Sequence, residues 1–143
     1  MKTLLIAALS LFTLSALPAC AEDKPGQEGG GSGHSHFVKI PPTLEGIWKE
    51  IGNQQKMLTD VVAKGNYGEA HDHGYAIRDL VKALPDKVPA ENKAKAATAS
   101  VEITKLAAAI DKSSAAKAKK ATDDNVQKLA TAITALQESL KAK

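Results

Sequence analysis

All four histidines of this 143-residue chain fall in two short clusters. One is His34-Ser35-His36, and the other is the run Glu69-Ala70-His71-Asp72-His73. Histidines separated by one residue concentrate imidazole, which suits Zn, Cu(II), Ni and Co ions. A short His-rich tract is also a compositional cue to metal binding. Helical geometry divides the second cluster. At about 100° per residue, His71 and His73 point about 200° apart, so one ion cannot take both unless the helix unwinds locally. Gly74 would make such unwinding easier. Glu69 and His73 are four residues apart and share a face, which makes them a two-ligand half-site. His71 shares a different face with Tyr67 and Tyr75, which is not a typical ligand set. A complete site takes three or four ligands. The rest would come from His34 and His36 folding back, or from a second molecule. A structural reading competes at each position. His73 lies on an apolar stripe and reads as a core histidine hydrogen-bonded to Glu69. His71 reads as an exposed helix residue, and His34-Ser35-His36 as part of a polar linker.

Other chemistries find less support. No nucleophile elbow, Gly-rich phosphate loop or His-Glu-x-x-His motif is present. Asp79 beside Arg78 reads as a surface charge pair, and Ser113 and Ser114 have no neighbouring base. The chain is therefore not expected to be an enzyme. Haem is disfavoured as well. No Cys-x-x-Cys-His motif exists for covalent attachment. Met57, the one methionine after the leader, falls about 140° from Leu44 and so off the apolar stripe. The formal charge of +3 drops to +2 without Lys2, too mild to imply a nucleic-acid partner. At 3% aromatic residues, a base-stacking surface is not expected either.

The elements that must position these residues are helices. Thr43 can cap a first helix carrying Leu44, Ile47, Trp48, Ile51, Leu58 and Val62 on one stripe. Gly65-Asn66 ends it, and Asn66 with Glu69 resembles a capping box for the second. Ala70, His73, Ile77, Leu80, Val81 and Leu84 form the second stripe, closed by Pro85. Pro89 suits the first turn of a third helix with Ala96, Ala99, Ile103, Leu106 and Ile110 inside. That helix is expected to end near Lys112. The Lys112–Lys120 stretch then reads as a solvated connection, with a longer rod through the lysines as the alternative. Asp124 with Gln127 can cap a fourth helix carrying Val126, Leu129, Ile133, Leu136 and Leu140. The expectation is an all-α, up-down-up-down four-helix bundle over 43–143. Its core should be thin, because alanine fills little volume.

The N-terminal part reads differently. Met1-Lys2-Thr3 opens with a positive charge, an apolar stretch runs from Leu4 to Leu17, and Leu17-Pro18-Ala19-Cys20 closes it. That is the anatomy of a secretory signal. The closing tetrapeptide resembles the lipobox of bacterial lipoproteins, with Pro18 the less usual residue in it. The resemblance implies a signal peptide over 1–19 and a Cys20 carrying several acyl chains, palmitate among them. More than one chain is what stable anchoring requires. Ala21 in place of an aspartate resembles an outer-membrane destination, which would put the protein on the periplasmic face. Residues 20–42 would be a tether built around Gly26, Gly29, Gly30, Gly31 and Gly33. Its flexible stretch, residues 21–39, would span about 25 Å on average.

The segment His71-Asp72-His73-Gly74-Tyr75-Ala76-Ile77-Arg78-Asp79-Leu80, with Ala83-Leu84-Pro85 after it, is similar to one in small exported bacterial helical proteins. Ile40-Pro41-Pro42-Thr43 and Trp48 resemble the same group. Those proteins pair a signal, a His-containing tether and a four-helix bundle, and often accompany heavy-metal efflux systems. The resemblance implies metal handling through His34, His36, His71 and His73, and a metal-efflux or other envelope protein as partner. The sequence thus leads to a lipid-anchored protein that binds a divalent transition metal for buffering or delivery. The alternative it leaves open is an envelope adaptor without metal.

Overall fold

The computed structural model describes residues 38–141. Within them lie four helices: α1 (Leu44–Ala63), α2 (Tyr67–Lys82), α3 (Lys93–Ala115) and α4 (Lys119–Lys141). Two single 3-10 turns, Leu84–Asp86 and Ala90–Asn92, join α2 to α3. Each helix packs along the one before it, and α4 touches α1 more loosely. The result is the all-α four-helix bundle. Residues 1–37, with Cys20, His34, His36, the leader and most of the tether, lie outside the described residues. Among the described residues, no helix is long and apolar enough to cross a membrane.

The first two helices start and stop close to where local chemistry puts them. Thr43 is extended, and its Oγ1 accepts from the Gly46 N–H at 3.1 Å, satisfying one of the orphan donors of α1. A side chain at Gly46 would bring its Cβ within 2.8 Å of Pro41 Cβ, so the chain turning into α1 needs the glycine. At the other end Gly65 takes φ +77, and the Asn66 N–H reaches back 2.8 Å to the Val61 carbonyl. The expected Asn66–Glu69 box does not form through side chains. The Asn66 side chain makes no capping bond, and the Glu69 N–H instead donates to the Asn66 carbonyl at 3.1 Å.

The second half departs from the sequence reading. Pro89 precedes a 3-10 turn, and α3 begins only at Lys93. At its far end α3 runs past Lys112 to Ala115, and α4 is already helical at Lys119. Asp124 and Gln127 are therefore interior residues of α4, not its cap. Asp124 accepts from Lys120 at 2.8 Å, one turn earlier in the same helix. Lysine and alanine are strong helix formers, and no Gly or Pro interrupts the stretch. A three-residue turn suffices, with Lys117 at φ +52.

That turn is held by a buried polar knot. The Ser113 hydroxyl donates to the Ile110 carbonyl at 3.1 Å and accepts from Thr122 at 3.1 Å. The Asn125 amide donates to the Ala109 carbonyl at 3.2 Å. Ser113 and Ser114 are consequently buried, not part of a solvated connection.

The apolar stripes converge as their spacing requires. Ile47, Ile51 and Leu58 of α1 meet Ile77, Leu80 and Val81 of α2 in a continuous core. Ile103 and Ile110 of α3 and Leu129, Ile133 and Leu136 of α4 complete it. Val61, Val88 and Ala107 are buried beyond the expected set. Leu44, Trp48, Ala99, Leu106, Val126 and Leu140 are only partly buried.

Candidate metal-ligand site on helix α2

α2 is regular through Gly74, which is buried inside it. The unwinding that would aim His71 and His73 at one ion does not occur, so the two imidazoles leave the helix on different sides. Each has its own surroundings.

His73 turns toward α1 and is half-buried. Its Nδ1 lies 2.8 Å from Oε1 of Gln54. The Gln54 amide is itself oriented, because its Nε2 donates to Glu50 Oε1 at 2.8 Å. The other oxygen of Glu50 accepts from Asn53 Nδ2 at 3.1 Å. A carboxylate only accepts, so the amide NH2 must face Glu50 and the amide oxygen must face the ring. An amide oxygen also only accepts, so Nδ1 must carry the proton. In the neutral ring the lone pair then sits on Nε2, which has no hydrogen-bond partner among the described residues. This is the outer-shell pattern that fixes the tautomer and orientation of ligating histidines, with a side-chain amide as the orienting acceptor.

The sequence reading named Glu69 as the partner of His73. The bonded partner is Gln54, nineteen residues away on the neighbouring helix. Glu69 is exposed in the first turn of α2. It suits that turn electrostatically, since a carboxylate opposes the positive end of the helix dipole.

His71 is more enclosed than the expected surface residue. Its Nε2 lies 3.2 Å from Asp72 Oδ1, with the two side chains 25% and 35% exposed. With Tyr67 and Gly68 it lines a cavity of about 320 Å3 against Asp111 and Ser114 of α3. Farther along α2, the Tyr75 hydroxyl donates to Asp111 Oδ2 at 3.0 Å. The Arg78 guanidinium stacks 4.4 Å above the Tyr75 ring, and its Nε donates to Asp79 at 2.7 Å. The expected Arg78–Asp79 pair is thus part of a tie between α2 and α3. Burial, followed by the Asp111 hydrogen bond and charge, raises the Tyr75 pKa above the usual phenol value. Met57 is 47% exposed, off the core stripe.

No family model, curated protein or solved structure matches this chain. The site must therefore be judged on its own residues. Among the described residues, no group of three or more His, Cys, Asp and Glu side chains gathers closely enough to hold a metal ion. What α1 and α2 provide is one oriented imidazole, with His71 apart from it. Gln54 and Glu50 were absent from the sequence-derived set. Their four-residue spacing marks them as neighbours on one helix face, but nothing in the sequence aims that face at His73.

Proposed function

We propose that this protein is a lipid-anchored envelope protein that binds a divalent transition metal through histidine, for buffering or delivery. The observation that carries the reading is the Glu50–Gln54–His73 relay. In the neutral ring it keeps the proton on Nδ1 and leaves Nε2 as a ligand atom. Nε2 of this half-buried ring is not sealed in the core, so its lone pair is open to water or to an ion. His34 and His36 of the same chain are the donors proposed to complete the site, and His71 is proposed as a second, separate ligand. Nitrogen donors favour Ni, Cu(II), Zn or Co, whereas the scarcity of sulfur ligands disfavours Cu(I). The anchor is proposed to be acylated Cys20, facing the periplasm from the outer membrane.

Calorimetric titration of the metal-stripped, untagged protein with Ni, Cu(II), Zn and Co tests the reading. The expected result is micromolar or tighter binding at defined stoichiometry, lost when all four histidines become glutamine. Binding should weaken as pH falls through about 6.5, where free imidazole protonates. Absent or millimolar binding would overturn the metal reading and leave the envelope adaptor in its place.

A further inference from the structure

An ion on His73 Nε2 needs further donors, and among the described residues no three His, Cys, Asp or Glu side chains gather to hold one. A donor of another type stands on the same seam. Glu50, Asn53, Gln54 and Met57 recur at i, i+3, i+4 and i+7, so they share one face of α1. The first three are tied together, and Gln54 carries the tie on to His73. Met57 extends the face by one turn and is 47% exposed. It is the one methionine among the described residues.

Helical angles show which way that face turns. At about 100° per residue, the buried Leu58 and Ile51 lie about 40° and 60° to one side of Gln54. Glu50 and Met57 lie about 40° and 60° to the other side. The first side leads through the core to Val62 and Thr59, which line a cavity against α4. The second therefore borders α2 on the outside of the seam. α2 is arranged the same way about His73. The buried Ile77 and Ala70 are about 40° and 60° to one side, and the exposed Glu69 is about 40° to the other. The link of three residues between α1 and α2 makes the two helices antiparallel. Gln54 meets His73. From that level Met57 is about 4.5 Å along α1 and Glu69 about 6 Å along α2, both toward the same end of the seam.

We infer that Met57 Sδ and the Glu69 carboxylate join His73 Nε2 on one ion, and that the thioether makes that ion Cu(II). The inference rests on the reading of His73 as a metal ligand. Nδ1 is turned in to Gln54, and Nε2 of the half-buried ring is not sealed in the core. Glu50, the other carboxylate on this side, is engaged through both oxygens by Gln54 and Asn53. Glu69 forms no ion pair among the described residues. Met57 and Glu69 are both exposed, so they can close on an ion without disturbing the core. Imidazole suits Ni, Zn, Co and Cu(II) alike, whereas a soft thioether is a recognised weak axial donor to copper. His34 or His36 would supply the fourth donor.

X-ray absorption at the copper edge tests the inference, on the untagged full chain in detergent, produced with selenomethionine and loaded with Cu(II). The expected spectrum contains a copper–selenium path, which separates Met57 from the sulfur of Cys20. Met57→Leu should abolish that path, lower the Cu(II) affinity and leave the Ni affinity unchanged. Met57 is too exposed for the change to unfold the bundle. Glu69→Gln should weaken Cu(II) and Ni alike, because both use the carboxylate. Copper bound through His73 without a selenium path would overturn the inference and leave the metal reading standing. A Cu(II) affinity indifferent to Met57→Leu or to Glu69→Gln would do the same. Failure to bind Ni, Cu(II), Zn or Co at all would overturn both.

Discussion

Replacing Gln54 with methionine keeps the length and most of the volume of the side chain but removes the oxygen that accepts from His73. The relay then loses its middle link, and Nδ1–H of a half-buried imidazole loses its 2.8 Å partner. A neutral hydrogen bond of this kind contributes about 1 kcal/mol, which is a factor of about 5 between two states that differ only in making it. Those states are the two neutral tautomers, since only the Nδ1–H form can donate to Gln54. Nitrogen-15 NMR of the metal-free protein, above the pH of imidazole protonation, reads their populations directly. The parent protein should hold His73 mainly as the Nδ1–H tautomer. Gln54→Met should shift the ratio about fivefold toward Nε2–H. Glu50→Ala should produce a smaller shift in the same direction, because the Gln54 amide is then free to turn. Metal affinity should fall together with the tautomer, by about 10–100-fold for loss of an outer-shell partner. A parent His73 that carries its neutral proton on Nε2, or a ratio unchanged by Gln54→Met, would refute the relay.

Two further consequences follow from the bundle itself. Tyr75 ionises above the usual phenol range, first through burial and then through Asp111. Its neutral form therefore adds stability that is present below about pH 10 and is lost as pH rises through the raised folded value. In a Tyr67→Phe background, where phenolate absorbance reports Tyr75 alone, Asp111→Asn should lower the titration midpoint but leave the part due to burial; an unmoved midpoint would count against the Tyr75–Asp111 bond. Lys117, at φ +52, occupies a conformation that costs an L-residue about 1–2 kcal/mol. Lys117→Gly should relieve it and, after the flexibility glycine adds to the unfolded chain, raise stability by about 0.5–1 kcal/mol in urea denaturation. A lower midpoint in Lys117→Gly would show that the turn is not strained.

The parts of the fold that the sequence makes legible are those governed by periodicity. Ile77, Leu80, Val81 and Leu84 recur at helical spacing and all lie in the core, because a stripe of that width has to be covered. Thr43 and Gly65 are equally legible, since each does a job that its own backbone position defines. The turn between α3 and α4 is not. Asp124 followed three residues later by Gln127 fits a capping signature, yet it lies within α4. The helix starts earlier because Thr122 bonds Ser113 on the opposite side of the turn, a contact no local pattern encodes. Ser113 and Ser114 look like solvated linker residues for the same reason. The candidate site divides along the same line. That His73 shares an apolar stripe is visible in the sequence. That its Nδ1 meets Gln54 and not Glu69 depends on how α1 lies against α2, and that is a tertiary fact.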